Sequence, residues 1–232
     1  MRSFLMIGQS NMAGRGALDE VSKIDNELCY MLRMGRWQKM SEPINPDRAI
    51  FEGKYRSGVS LGASFADEAT RFFGDRVGLI PCADGGTRIK QWMPGEILFD
   101  HAVMMTRLAM RTSTLCGILW HQGESDCTSD EGLCAHSELF LAMITALRKE
   151  LGAEDLPLLI GELSEDDGIK TRCGERTVLM NRQYRELARE LPCCAVVSSA
   201  GLTLKADRLH FDSPSLRVFG KRYFESFKAL TL

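Results

Sequence analysis

The chain has 232 residues, with 29 Lys and Arg against 31 Asp and Glu. That near balance removes any electrostatic reason to expect nucleic acid or an anionic membrane surface as the main partner. The length is enough to bury a substantial core without disulfides or metal, no apolar run is long enough to span a bilayer, and one domain over residues 1–232 is expected.

The chain opens on an apolar run, "FLMI" (4–7), and passes straight into "GQSNMAGRG" (8–16). Residues 17–60 follow as a long irregular excursion carrying several Gly, Pro and Asn residues, of a kind that shapes a pocket. From residue 61 the pattern is regular. Apolar residues at spacings of three and four predict helices over 61–73, 97–111, 134–151, 175–190 and 214–229. Between them stand the short apolar runs "RVGLIPC" (76–82), "LCGILW" (115–120), "LPLLIGEL" (156–163) and "CCAVVSS" (193–199). These runs are apolar throughout instead of alternating, as parallel strands covered on both faces must be. The expected architecture is an open α/β sheet with helices on both sides.

The eight cysteines form no C-x-x-C pair and no signal-peptide pattern precedes the first motif. Reduced thiols in a cytoplasmic protein are therefore expected.

Ligands of open α/β sheets sit beyond the carboxyl ends of the strands, so the residues just past each strand carry the functional reading. In "GQSN", Ser10 falls on a tight turn before a helix. Its hydroxyl and its own N–H can face the same point, which suits a nucleophile and equally suits a helix cap. The loop lacks the Gly-Lys-Ser/Thr of a phosphate loop and the third glycine of a dinucleotide fingerprint. "ADGGT" (83–87) offers glycine N–H groups that can approach a ligand closely, or forms a plain turn.

In "WHQGESD" (120–126), Gln122 can donate its amide to an oxyanion, while Glu124 and Asp126 can orient neighbours or cap the next helix. His121 with Glu124 lacks a third ligand, so no metal is expected. Near the C-terminus "DRLH" sets Asp207 three residues before His210. The carboxylate can hold the imidazole's tautomer while the other ring nitrogen faces a serine.

Together "GQSNMAGRG", "GLIPCADGGTRIKQW", "WHQGESD" and "DRLHFDS" resemble the carbohydrate acetylesterase branch of the SGNH (GDSL-like) hydrolases, which holds sialate O-acetylesterase-like domains and acetyl xylan esterases. The resemblance runs from residue 4 to about residue 224. It implies a flavodoxin-like three-layer α/β/α sandwich on a central parallel sheet of about five strands, and a serine esterase working without a cofactor. By position it makes Ser10 the nucleophile, His210 the general base and acid, and Asp207 its orienting partner. The oxyanion donors would be the Ser10 backbone, Gly85 (Gly86 the alternative) and Gln122.

Two features differ from the broader superfamily, where Gly-Asp-Ser replaces Gly-Gln-Ser and an Asn stands at Gln122. Both fit the acetylesterase branch. In parts of that branch a Glu assists the His, which draws attention to Glu124. Arg15, Arg88, Lys90 and Trp92 lie near the site loops. The basic residues suit a sugar carboxylate or plain solvation, and Trp92 suits stacking on a sugar.

The expected partner is an acetylated carbohydrate, with sialic acid and xylan-type sugars both open. A general short-chain carboxylesterase, a deacetylase of another acylated metabolite and a catalytically silent carbohydrate-binding module are the alternatives.

Overall fold

A computed structural model describes residues 1–46 and 56–232. Part of the 17–60 excursion therefore lies outside the described residues. The strands, in chain order, are β1 (Arg2–Gly8), β2 (Cys29–Arg33), β3 (Arg36–Lys39), β4 (Val77–Pro81), β5 (Thr114–His121), β6 (Leu158–Gly161) and β7 (Cys194–Val197). The helices are α1 (Ser10–Ala13), α2 (Leu61–Phe73), α3 (Ile97–Met110), α4 (Asp130–Glu150), α5 (Asp167–Cys173), α6 (Arg176–Glu190) and α7 (Ser213–Thr231).

The strands form one sheet in the order β3-β2-β4-β1-β5-β6-β7, parallel except for the β2–β3 pair at one edge. All five apolar runs read as strands are strands. The count of about five is exceeded because the excursion contributes β2 and β3, and α5 was likewise not anticipated.

Period-two geometry sends alternate residues of each strand to opposite faces. Leu5 and Ile7 of β1 join Ile118, Trp120, Leu158 and Ile160 under α3, α4 and α6. Phe4 and Met6 join Leu79, Leu119 and Leu159 under α2 and α7. Both faces are therefore dry, which is why the central strands carry no polar alternation.

Helix starts follow local chemistry. Ser60 and Ser129 each accept a backbone N–H as N-caps of α2 and α4. Asp212 caps α7 through the Ser215 N–H, with Pro214 in the first turn. Gly74 ends α2 in the left-handed conformation that glycine adopts without strain. Among the described residues no helix is long and apolar enough to cross a membrane.

The chain runs from β1 out to β2, back to β4, and then across β1 to β5. The carboxyl ends of β4, β1 and β5 therefore flank the point where the order reverses, the usual place for a ligand crevice. Backbone bonds lock these ends together. Gly8 O accepts from Asp84 N at 3.0 Å, and Gln9 N donates to His121 O at 2.8 Å. Gly8 has φ +127, and a Cβ there would stand 2.1 Å from His121 O, so only glycine lets β1 end this close to β5.

Candidate active site

Ser10 opens the single turn of α1 immediately beyond β1, and its side chain is almost entirely buried. As a first-turn residue its N–H has no intrahelical acceptor. The Oγ lies 2.9 Å from His210 Nε2, and His210 Nδ1 lies 2.8 Å from Asp207 Oδ2. Asp207 Oδ1 also accepts the N–H groups of Leu209 and His210, both at 3.0 Å. Burial pushes the Asp207 carboxyl up, but the hydrogen bonds from the backbone and ring of His210 and from Leu209 outweigh it. The net effect holds the group below its ordinary value.

An ionised Asp207 accepts a proton-bearing Nδ1, which leaves Nε2 bare and facing the serine hydroxyl. Such a chain can draw the proton off Ser10 as its oxygen attacks a carbonyl. The loop bearing Asp207 and His210 is held by Phe211. This fully buried residue packs edge-on to His121 and Phe219.

Asn11 ties the loops together. Its Nδ2 donates to Glu124 Oε1 at 2.6 Å and to Leu209 O at 3.3 Å, and its Oδ1 accepts from Phe211 N at 3.1 Å. One buried amide thus joins the loops after β1 and β5 to the Asp-His loop.

A pocket of about 180 Å³ opens over Ser10, lined by Gln9, Arg15, Gly85, Gly86, Glu124, Ser125, Arg172, Leu209 and His210. Gly85 is buried against the serine: a Cβ on it would sit 3.6 Å from Ser10 Cβ and 2.4 Å from the Arg15 guanidinium. Its N–H takes no acceptor among the described residues. Gly86 is exposed at φ +76 on the pocket rim.

The family model for carbohydrate esterase, sialic acid-specific acetylesterase, matches residues 1–229. The chain belongs to this family. It is a carboxylic ester hydrolase. A probable carbohydrate esterase of Arabidopsis thaliana is 32% identical over 230 residues, covering 89% of this chain and 82% of that protein. A solved structure of an Arabidopsis thaliana protein matches with a TM-score of 0.83 at 25% identity, covering 98% of each chain. NanS shares the fold, with a TM-score of 0.80 at 15% identity, over 98% of this chain and 96% of that one.

Other residues expected at the site are placed elsewhere by the esterase fold. Gln122 is fully buried and does not line the pocket. Its Nε2 donates to Asp126 Oδ2 at 2.5 Å and to Thr87 O at 3.0 Å, and its Oε1 lies 3.0 Å from His136 Nε2. Burial drives the His136 ring down to about 3, so it is neutral, and its Nε2–H points at the Gln122 oxygen. Both ends of the Gln122 amide are therefore engaged inside the protein, and the expected oxyanion contact is not made from this position. Asp126, raised by burial, also accepts the Ile89 N–H and so braces the turn after the "ADGGT" loop.

Trp92 does not face a sugar. It is buried, donates to Thr87 Oγ1 and packs edge-on to Trp120 at 5.6 Å. Arg88 bonds Thr128 Oγ1 and Lys90 pairs with Glu131, both away from the pocket. Glu124 lines the pocket but contacts Asn11 and His121, whereas the carboxylate on His210 is that of Asp207. Of the basic residues, Arg15 is in place.

Arg172 of α5, Gln9 and Asn11 were missed by sequence reasoning. Arg172 carries no motif, and only the fold brings it across to the pocket. Gln9 and Asn11 stood inside the quoted "GQSN", and their flanking of the serine was the available signal.

Proposed function

We propose that the chain is a serine O-acetylesterase acting on an anionic sugar of the sialic acid type, with Ser10, His210 and Asp207 as its catalytic residues. One observation carries the reading: the unbroken chain Ser10 Oγ–His210 Nε2 and His210 Nδ1–Asp207 at the mouth of the pocket, in a member of a carbohydrate esterase family.

Ser10 Oγ attacks the acetyl carbonyl carbon as its proton passes to His210 Nε2. The oxyanion that forms is met by the N–H groups of Ser10 and Gly85. Collapse breaks the bond to the sugar oxygen, which takes the proton back from His210. Water, deprotonated by the same ring, then releases acetate. Arg15 and Arg172 on the pocket wall favour a substrate carrying a carboxylate over a neutral xylan. The cavity is smaller than the roughly 300–1000 Å³ typical of drug-sized ligands, which favours acetyl over long acyl groups.

The test is acetate release from O-acetylated sialic acids, acetylated xylo-oligosaccharides, and simple acetate and octanoate esters. The sialic esters should give the highest kcat/KM and the octanoate ester the lowest. Arg172→Ala should raise KM for the sialic esters and leave that for a neutral acetate unchanged. A preference for neutral xylo-oligosaccharides that survives Arg172→Ala would overturn the anionic-sugar reading.

A further inference from the structure

With Gln122 turned inward, the N–H groups of Ser10 and Gly85 are the two backbone donors in prospect for the oxyanion, and the amide of Gln122 does not join them. Gln9, the residue immediately before Ser10, is nearly dry yet lines the pocket. Its Oε1 is approached by three donors: Gln122 Nε2 at 3.3 Å, Gly123 N at 3.4 Å and Ser125 N at 3.4 Å. That convergence fixes the orientation of the amide, because a flipped group would set its NH₂ against two backbone N–H groups and another NH₂. The Nε2 must then lie on the opposite side of the planar group. It takes no acceptor among the described residues and is not sealed inside the protein.

Gln122 has no such freedom. To reach the pocket its Nε2 would have to leave the buried Asp126 carboxylate and the Thr87 carbonyl.

We propose that Gln9 Nε2–H is the side-chain hydrogen-bond donor to the oxyanion formed at Ser10, and that Gln122 holds Gln9 in the orientation this requires. The inference rests on the reading of Ser10 as nucleophile. An N–H without an acceptor among the described residues, fixed by donors on the oxygen of its own amide, needs no reorganisation when charge develops beside it. Its contribution should therefore fall on kcat more than on KM.

Three variants test this: Gln9→Ala, Gln9→Glu and Gln122→Ala, with kcat, KM, thermal midpoint and reaction with a serine-directed phosphonate measured for each. Gln9→Glu is the discriminating change. Its carboxylate still accepts the Gly123 and Ser125 N–H groups, so the loop stays braced, but the donor is gone and a negative charge replaces it. Both Gln9 variants should lose roughly 10²–10³-fold in kcat, the usual cost of one oxyanion donor, with KM little changed. Gln122→Ala should lower the thermal midpoint and cost the folded enzyme much less in kcat than either Gln9 change.

Unchanged kcat in folded Gln9→Glu or Gln9→Ala enzyme would overturn the proposal. So would a Gln122→Ala loss in kcat that matches or exceeds that of the Gln9 variants. Failure of the nucleophile reading itself looks different: the phosphonate would then leave Ser10 of the unaltered enzyme unmodified.

Discussion

The loops after β1 and β5 begin alike and end differently. Each leaves a central strand, each opens with a buried glutamine at or next to the strand end, and the strands pair from Arg2 with Thr114 to Gly8 with His121. Yet the β1 loop turns Gln9 and Ser10 toward the pocket, whereas the first half of the β5 loop turns its polar groups inward. Gln122, His136, Tyr184, Asp126 and Thr87 form a closed buried network, with Tyr184 donating to Gln122 O at 2.6 Å.

The difference lies in how many partners each amide has. Gln122 spends its donor and its acceptor on buried groups. Gln9 spends only its acceptor. Residue type and position at a strand end mark both amides as candidates, and only the count of committed hydrogen bonds separates them.

The comparison can be strained hardest through Asp207, which orients the ring serving the β1 loop. Asp207→Asn should lower kcat by up to about 10⁴-fold, since an amide can present its NH₂ to Nδ1 and favour the wrong tautomer. Asp207 is partly exposed, so water can take over some of the role and leave the loss below that ceiling. The same carboxylate gives a signature in stability. Its folded pKa lies below the unfolded one, so its stabilising effect is complete above the ordinary carboxylate range and fades as pH falls through the lowered value. The gap in thermal midpoint between the unaltered enzyme and Asp207→Asn should therefore be widest near neutrality and close in acid. A gap that widens in acid would contradict the assigned ionisation.

A smaller effect sharpens the comparison at the point where the two loops meet. Asn11→Ala removes the bond from the β1 loop to Glu124 and the acceptor of the Phe211 N–H. It should cost about 1.5–3 kcal/mol, the range for hydrogen bonds to charged groups, as read by denaturant unfolding. It should also lower kcat, because the Asp-His loop loses its tether to the serine loop. Lost stability with full activity would make Asn11 a packing residue only.

Much of this was legible in the sequence for a physical reason. Buried parallel strands must be apolar throughout, so β1, β4, β5, β6 and β7 announced themselves. The edge pair did not: "CYMLR" and "RWQK" mix charge into short strands, and β3 has no apolar run. Ser10, Asp207 and His210 were readable because their chemistry is local to short motifs. Arg172 was not, because nothing near it in the chain marks it and α5 alone carries it to the pocket. The inward placements of Gln122 and Trp92 share a cause. Both residues sit in the right loops, and their inward orientation depends on partners such as Asp126, His136, Thr87 and Trp120, a pattern that single motifs do not encode.

The central claim is that Ser10, presented by the β1 loop to His210, forms the covalent bond to the acyl group. The direct measurement is mass analysis of peptides after inactivation by a serine-directed phosphonate, run beside acetate release. The account predicts one adduct, on the peptide containing Ser10, appearing in step with lost activity and absent from a folded, inactive Ser10→Ala protein. An adduct on another residue, together with undiminished acetate release by Ser10→Ala, would contradict it.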